Sequence, residues 1–261
     1  MARQRRPSLS PGNYPPHTVP QPTRAPRHGL ARAISKLGIC SRSQAAKSIG
    51  EGRVAVNGAI ARDPEMPIDA SRDRIAIDGA DIGARERLYL MLNKPRGYIT
   101  SAADERGRDT VYALLAGAAL PWLAPVGRLD KASEGLLLLT NDSVWAARIT
   151  APESHLDKTY HVQIDRPPDA ALLAALHDGI DDKGERLAVK SARELRRGDK
   201  NAWLEIVLDE GRNRQIRRLL AALDVGVLRL VRVALGELTL GTLAKGEWRK
   251  LDDDEVARLV R

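Results

Sequence analysis

Leu136 to Leu139 is an unbroken apolar run between Gly135 and the turn-prone pair Asn141-Asp142. Four consecutive leucines at that length predict a short strand buried on both faces, because a strand with one wet face would alternate apolar and polar residues. Asp130 falls in the loop that enters this strand, beside Arg128. Reactive groups concentrate on loops carried by a rigid sheet. A loop aspartate is more commonly a turn or salt-bridge residue, and on the physics of this segment alone that reading leads.

Charge and composition bound the chain further. At 261 residues with 43% hydrophobic content and no apolar run of membrane length, the chain is expected to fold as a soluble protein of one ordinary domain plus a small one. The formal charge is +8, but Arg3, Arg5, Arg6, Arg24 and Arg27 lie in an N-terminal stretch with no acidic residue, leaving +3 for the remainder. Bulk charge is therefore a weak pointer to nucleic acid, and the distribution of basic residues has to carry it. Residues 1–28 lack an apolar secretory core and read as a disordered Arg- and Pro-rich tail. Cys40 is the one cysteine, which excludes an intrachain disulfide and fits a reducing, cytoplasmic setting. The five histidines show no ligand spacing, so no metal is expected.

After the tail, Leu30, Ala33, Ile34 and Leu37 recur at helical spacing and Gly38 ends the helix. Ser41 with Gln44 forms a capping box for a second helix with Ala45, Ala46 and Ile49 inward. Val54 and Val56 then alternate into Asn57-Gly58, a hairpin signal, and Ile75 with Ile77 runs into Asp78-Gly79. A small domain over 29–78 follows, its outward face carrying Arg32, Lys36, Arg42, Lys47 and Arg53, with a linker at 79–87.

From residue 88 onward strands and helices alternate: a strand through Leu88, Leu90 and Leu92 closed by Asn93-Lys94-Pro95-Arg96-Gly97, the leucine strand, and a helix from about Ser143 to Ile149. A strand at Thr159 to Ile164, a helix around Asp169 to His177, a strand from Ala202 to Leu208, a helix from Asn213 to Leu223 and a final strand pair reaching Leu251 complete it. In the last helix Ile216, Leu219, Leu220 and Leu223 form the core face, so Arg214 and Arg218 point away and Arg217 lies on the flank. Residues 88–261 are expected to form an α+β domain on a mixed, largely antiparallel sheet.

Several segments carry a resemblance. Gly127-Arg128-Leu129-Asp130 through Thr140-Asn141-Asp142, Lys158-Thr159-Tyr160, Glu210-Gly211-Arg212 through Gln215-Ile216-Arg217, and the Asn93 to Gly97 turn resemble the RsuA-like rRNA pseudouridine synthases. Gly38 to Arg42 and Glu51 to Gly58 resemble the S4 RNA-binding domain. The resemblance implies Asp130 as the catalytic residue, Tyr160 as the active-site tyrosine and Arg217 as the arginine that pairs with the Asp130 carboxylate. It also implies Arg42, Lys47 and Arg53 as phosphate contacts, Lys94 facing RNA, and Leu230 lining the uracil pocket. Ser133 stands where the family often has threonine, and the chain contains no phenylalanine; neither disturbs a motif.

The reaction so implied is the isomerisation of a uridine in ribosomal RNA to pseudouridine, with Asp130 as nucleophile or charge stabiliser. A stacked uridine must be extruded first, at a cost of a few kcal/mol, and Arg128 is placed to fill the vacancy. An isomerisation needs no redox cofactor or ATP, and none is expected; ribosomal RNA is the partner and a monomer is expected, with no membrane role. The ending Gly246-Glu247-Trp248-Arg249 and the Arg212 to Arg217 segment favour 23S over 16S rRNA. The competing reading is a non-catalytic S4 protein that binds rRNA during ribosome assembly. A glycosidase-like hydrolase fits less well, because Asp130 lacks an identifiable second carboxylate.

Overall fold

The computed structural model describes residues 28–69, 72–83, 85–101 and 107–260. The basic tail expected over 1–28 lies outside them apart from His28. In chain order the small domain comprises β1 (His28–Gly29), α1 (Leu30–Lys36), α2 (Arg42–Gly50), β2 (Val54–Val56), β3 (Ala59–Ala61), β4 (Pro67–Ile68), β5 (Ile75–Ile77) and β6 (Ala80–Ile82). The larger domain follows as β7 (Tyr89–Lys94), β8 (Ala124–Val126), β9 (Glu134–Thr140), α3 (Ser143–Thr150), β10 (Lys158–Ile164), α4 (Ala170–Asp178), β11 (Ile180–Asp182) and β12 (Glu185–Leu187). It ends with β13 (Ser191–Arg197), β14 (Ala202–Leu208), α5 (Gln215–Ala222), β15 (Val227–Leu235), β16 (Leu238–Thr239), β17 (Trp248–Lys250) and α6 (Asp253–Arg258).

The small domain forms for local reasons that its sequence states. Gly38 takes φ +72 and turns the chain out of α1. Ser41 and Gln44 make the reciprocal capping box at the start of α2. Asn57 and Gly58 both adopt positive φ, the geometry of a tight hairpin, and join β2 to β3. Leu30, Ile34, Ile49, Val54 and Ile75 fill the core between the helices and a sheet ordered β3-β2-β5-β6. Ala80 to Ile82 pair with β5, so part of the segment 79–87 expected as linker is an edge strand of this domain. The reason is Asp78-Gly79, a second positive-φ pair that turns the chain straight back.

The larger domain is a nine-stranded sheet with the path β13-β14-β10-β15-β9-β7-β17, all antiparallel except β15 against β9. Every residue of β9 is buried. Leu136 and Leu138 pack with Trp145 and Ile149 of α3, while Leu137 and Leu139 pack with Leu90, Leu92, Val111 and Leu123. The leucine run is thus covered on both faces. The sequence leads one to expect a final strand pair reaching Leu251; instead β15 pairs with β16, and β17, which ends at Lys250, crosses to pair with β7. Gly135 permits the parallel contact, because a Cβ at its φ of +101 would collide with the Arg232 carbonyl oxygen.

Thr140-Asn141-Asp142 does more than end the strand. Thr140 Oγ1 donates to the Leu88 carbonyl, and Asn141 accepts from Leu88 N and donates to Glu86 O, each at 2.8 Å. Asp142 caps α3 through Val144 N and Trp145 N and accepts from the Tyr89 hydroxyl at 2.9 Å. Gly38 of the small domain sits so close to the Asn141 side chain that a Cβ there would lie 2.9 Å from it. One three-residue element therefore ties the connecting segment to the sheet and meets the small domain.

Candidate active site

Asp130 stands at the mouth of β9, where β10 and β15 converge on the same pocket. Its loop, Leu129 to Ser133, has all five of its backbone carbonyls occupied. Thr100 Oγ1 donates to Leu129 O at 2.8 Å, Lys94 Nζ to Asp130 O at 3.1 Å and to Ser133 O at 2.7 Å, and Gly97 N to Lys131 O at 2.8 Å. Arg217 Nη2 donates to Ala132 O at 3.1 Å. Paired backbone groups of this density fix a loop that would otherwise be mobile. The aspartate side chain, 37% exposed, is held by this frame against a cleft of about 510 Å³. Tyr160, Leu230, Arg128 and Arg217 line the same cleft.

Two expectations are corrected here. Lys94 does not face RNA: it is fully buried, and its ammonium donates to the carbonyls of Pro95, Asp130 and Ser133. Burial pushes its pKa down to about 8, against the opposing fields of Asp130 and Glu134. The sequence Asn93 to Gly97 is thus a clamp for the Asp130 loop, with Lys94 and Gly97 as its two points of attachment. Arg217 is not the ion-pair partner of Asp130. That contact is made by Arg214, whose Nη1 lies 3.0 Å from Asp130 Oδ2.

The exchange has a backbone cause. Arg214 precedes α5 in the left-handed region, φ 49, which is uncommon for a residue with a side chain, and this aims it away from the helical direction expected of a solvated arginine. Arg217, on the first turn of α5, is half-buried, and burial followed by the neighbouring Arg214 charge lowers its pKa while Asp130 opposes the shift. Arg218 is also paired, with Asp182 at 2.5 Å and Glu185 at 2.7 Å. Gln215 steadies the approach to α5 by donating to Ala188 O and Glu210 at 2.8 and 2.7 Å.

Tyr160 lies on β10, half-buried between the two clusters that flank the cleft. Leu230 is 6% exposed on β15. Arg128 is exposed on the cleft rim. In the small domain Arg42, Lys47 and Arg53 are all exposed, and each has an acidic neighbour: Glu65 at 2.7 Å, Glu51 at 3.9 Å and Asp78 at 2.5 Å. Exposed pairs of this kind contribute little and exchange readily for another anion. Arg32, Lys36 and Arg42 line a groove together with Arg148 of α3, and Ala151 borders both this groove and the Asp130 cleft. The basic groove and the Asp130 cleft therefore adjoin at Ala151.

Several contributors had no separate signal in the sequence. Lys158 and Arg232 line the cleft from β10 and β15. Glu134, directly after the Asp130 loop, is buried yet receives both Arg229 nitrogens at 3.0 Å and Lys245 at 2.6 Å. Burial alone would raise its pKa, but these bonds prevail and hold it below the usual carboxylate range. Alternation along β15 could have placed Arg232 on the Leu230 face; the missing acceptor at its Nη2 could not have been read.

An aspartate on a clamped loop, a tyrosine on the neighbouring strand and arginines from a helix start, on a mixed sheet joined to a small two-helix domain, define a class of RNA-modifying enzyme. Residues 88–222 match the RNA pseudouridylate synthase family and residues 29–75 match the S4 domain. The chain belongs to the RNA pseudouridylate synthase family. It is similar to an RNA pseudouridine synthase of Aquifex aeolicus, 36% identical over 89% of this chain and 93% of that one. Ribosomal large subunit pseudouridine synthase B of Bacillus subtilis is 35% identical over 88% of this chain and 94% of its own length. A crystal structure of a pseudouridylate synthase, 36% identical, matches with a TM-score of 0.61 over 90% of this chain and all of the other.

Proposed function

We propose that this protein converts a uridine of ribosomal RNA, in the large rather than the small subunit, to pseudouridine, with Asp130 as the catalytic carboxylate. The observation that carries the reading is the Asp130 loop, bound at every carbonyl from Leu129 to Ser133 while its carboxylate faces a cleft lined by Tyr160 and Leu230. A protein that only bound RNA would gain nothing from immobilising a carboxylate, which repels phosphate. The similarity to the large-subunit enzyme of Bacillus subtilis favours 23S rRNA.

In this reading the target uridine leaves its stack, at a cost of a few kcal/mol, and enters between Tyr160 and Leu230. Arg128, on the rim, enters the space the base vacates. Asp130 attacks or stabilises the ribose as the bond from C1′ to N1 breaks. The uracil turns, C5 bonds to C1′, the C5 proton is lost and N1 gains one. Substrate and product have the same atoms, so the balance requires neither cofactor nor second substrate. Arg214 orients the carboxylate, and Arg217 keeps its loop in place. Arg42, Lys47 and Arg53, with the groove lined by Arg32, Lys36 and Arg148, hold the surrounding phosphates and offset the extrusion cost. The domain division read from sequence, amended at residues 80–82, fits this split of labour.

The test is direct: purified protein is incubated separately with 23S and 16S rRNA from cells lacking it, and pseudouridine is mapped. One new pseudouridine in 23S rRNA is expected. Modification of 16S rRNA alone refutes the subunit assignment, and modification of neither refutes the reading.

A further inference from the structure

Among the described residues, two cleft arginines carry a buried nitrogen without an acceptor, Arg217 at Nε and Arg232 at Nη2, and Arg232 is the more deeply buried of the two. Arg232 is 5% exposed on β15, directly opposite Tyr160 on β10 and beside Gly135 at the start of β9. Its Nε donates to the Leu136 carbonyl at 2.8 Å, which is its single hydrogen bond among the described residues. Nη2 is buried without an acceptor, and no carboxylate pairs with the guanidinium. The other buried charges are treated differently: Glu134 has Arg229 and Lys245, and Lys94 has three carbonyls. Lys158, on the same strand face as Tyr160, adds a second half-buried cation whose bonds go to the carbonyls of Leu156 and Asp209 rather than to a carboxylate. Burying a cation without an anion is costly. A ligand that brings an anionic oxygen to the cleft floor offsets that cost.

We propose that Arg232 binds a carbonyl oxygen of the extruded uracil and stabilises the negative charge the ring acquires when its bond to ribose breaks. The inference rests on the uridine-isomerising reading of the cleft and adds a residue to it. Directly opposed residues on antiparallel strands stand about 5 Å apart at Cβ, so a ring stacked on Tyr160 lies within reach of the Arg232 fork. Depth selects the base over the backbone: a phosphate stays near solvent, where exposed Arg128 and Arg212 serve it, while the ring is what descends to a residue this buried. The electron pair of the C1′–N1 bond passes to the ring and spreads onto its two carbonyl oxygens, where Arg232 donates. It returns when C5 bonds to C1′, and the C5 proton is lost as N1 takes one up. Donors aimed at such developing charge are commonly worth about 100-fold in rate.

Arg232→Lys and Arg232→Ala are compared with wild type on rRNA from cells lacking the protein, reading the single-turnover rate at saturating RNA, RNA affinity, melting temperature and rescue by added guanidinium. Arg232→Lys is expected to fold and bind RNA as wild type does but to react about 100-fold more slowly. Guanidinium is expected to restore part of the rate to Arg232→Ala and none to Asp130→Asn. A wild-type rate for Arg232→Lys overturns the proposal, as does a loss of affinity and salt dependence at unchanged rate, which marks a phosphate contact. Should Arg232→Ala not fold, the Arg232→Lys rate alone decides. Wild-type protein that forms no pseudouridine fails the functional reading itself, a result separate from any effect at Arg232.

Discussion

Lys94 and Arg217 reach the same loop from different elements, and neither does so in the way a basic residue in an RNA enzyme suggests. Lys94 spends its charge on three backbone carbonyls, so Lys94→Met leaves those acceptors unsatisfied and is expected to cost about 2–4 kcal/mol. Its linkage to pH has a definite sign. The folded pKa is about 8, and an unfolded lysine titrates near ~10.4. Between these values the unfolded chain holds a proton that the folded chain lacks, so this group's contribution to stability rises with pH; below about 8 the full cost of burying the charge is present. Denaturant unfolding should show the wild-type advantage over Lys94→Met widening from about pH 8 to 10. A constant advantage contradicts the assignment. The structure brings Asp130, Tyr160 and Leu230 to one cleft, the grouping that their motif positions implied. The sequence misassigned Lys94 and Arg217 because the fate of a basic side chain depends on which carbonyls the fold brings to it. Arg214 was hidden by a left-handed backbone that helical periodicity does not reveal.

At the scale of elements, β9 governs the molecule. Its four leucines are shared between two cores, and its first residues run parallel to β15 with no room for a side chain at Gly135. Gly135→Ala is expected to destabilise the protein by more than about 2 kcal/mol, since it combines a strained φ with a backbone collision. A melting temperature equal to wild type would show that the two strands can part freely. Most elements followed from periodicity and punctuation: both helices of the small domain, its hairpin, β9, β10, β14 and α5. The crossing of β17 to β7 did not, because pairing between residues as far apart as Trp248 and Leu92 leaves no local trace. Strand β13 was missed for a related reason: Ser191 to Arg197 is an edge strand rich in charge, as edges protected against aggregation often are.

At the scale of the whole molecule, the two domains line one basic groove, and Ala151 borders both this groove and the Asp130 cleft. Arg32 and Arg148 come from different domains, and replacing both with alanine should weaken binding to rRNA and flatten its salt dependence by about 1 to 2 in log–log slope. An unchanged slope would place the RNA elsewhere. Neither residue's cooperation with the other could be read from sequence, since it depends on the meeting of Gly38 with Asn141.

The proposed role of Asp130 is tested most directly by a pseudouridine map of 23S and 16S rRNA from cells carrying the wild-type, deleted or Asp130→Asn allele. The aspartate side chain is partly exposed and its loop is held through backbone carbonyls, so the variant is expected to fold and accumulate normally. The account predicts that a 23S site lost on deletion returns with the wild-type allele and stays absent with Asp130→Asn. Restoration of that site by Asp130→Asn would contradict it.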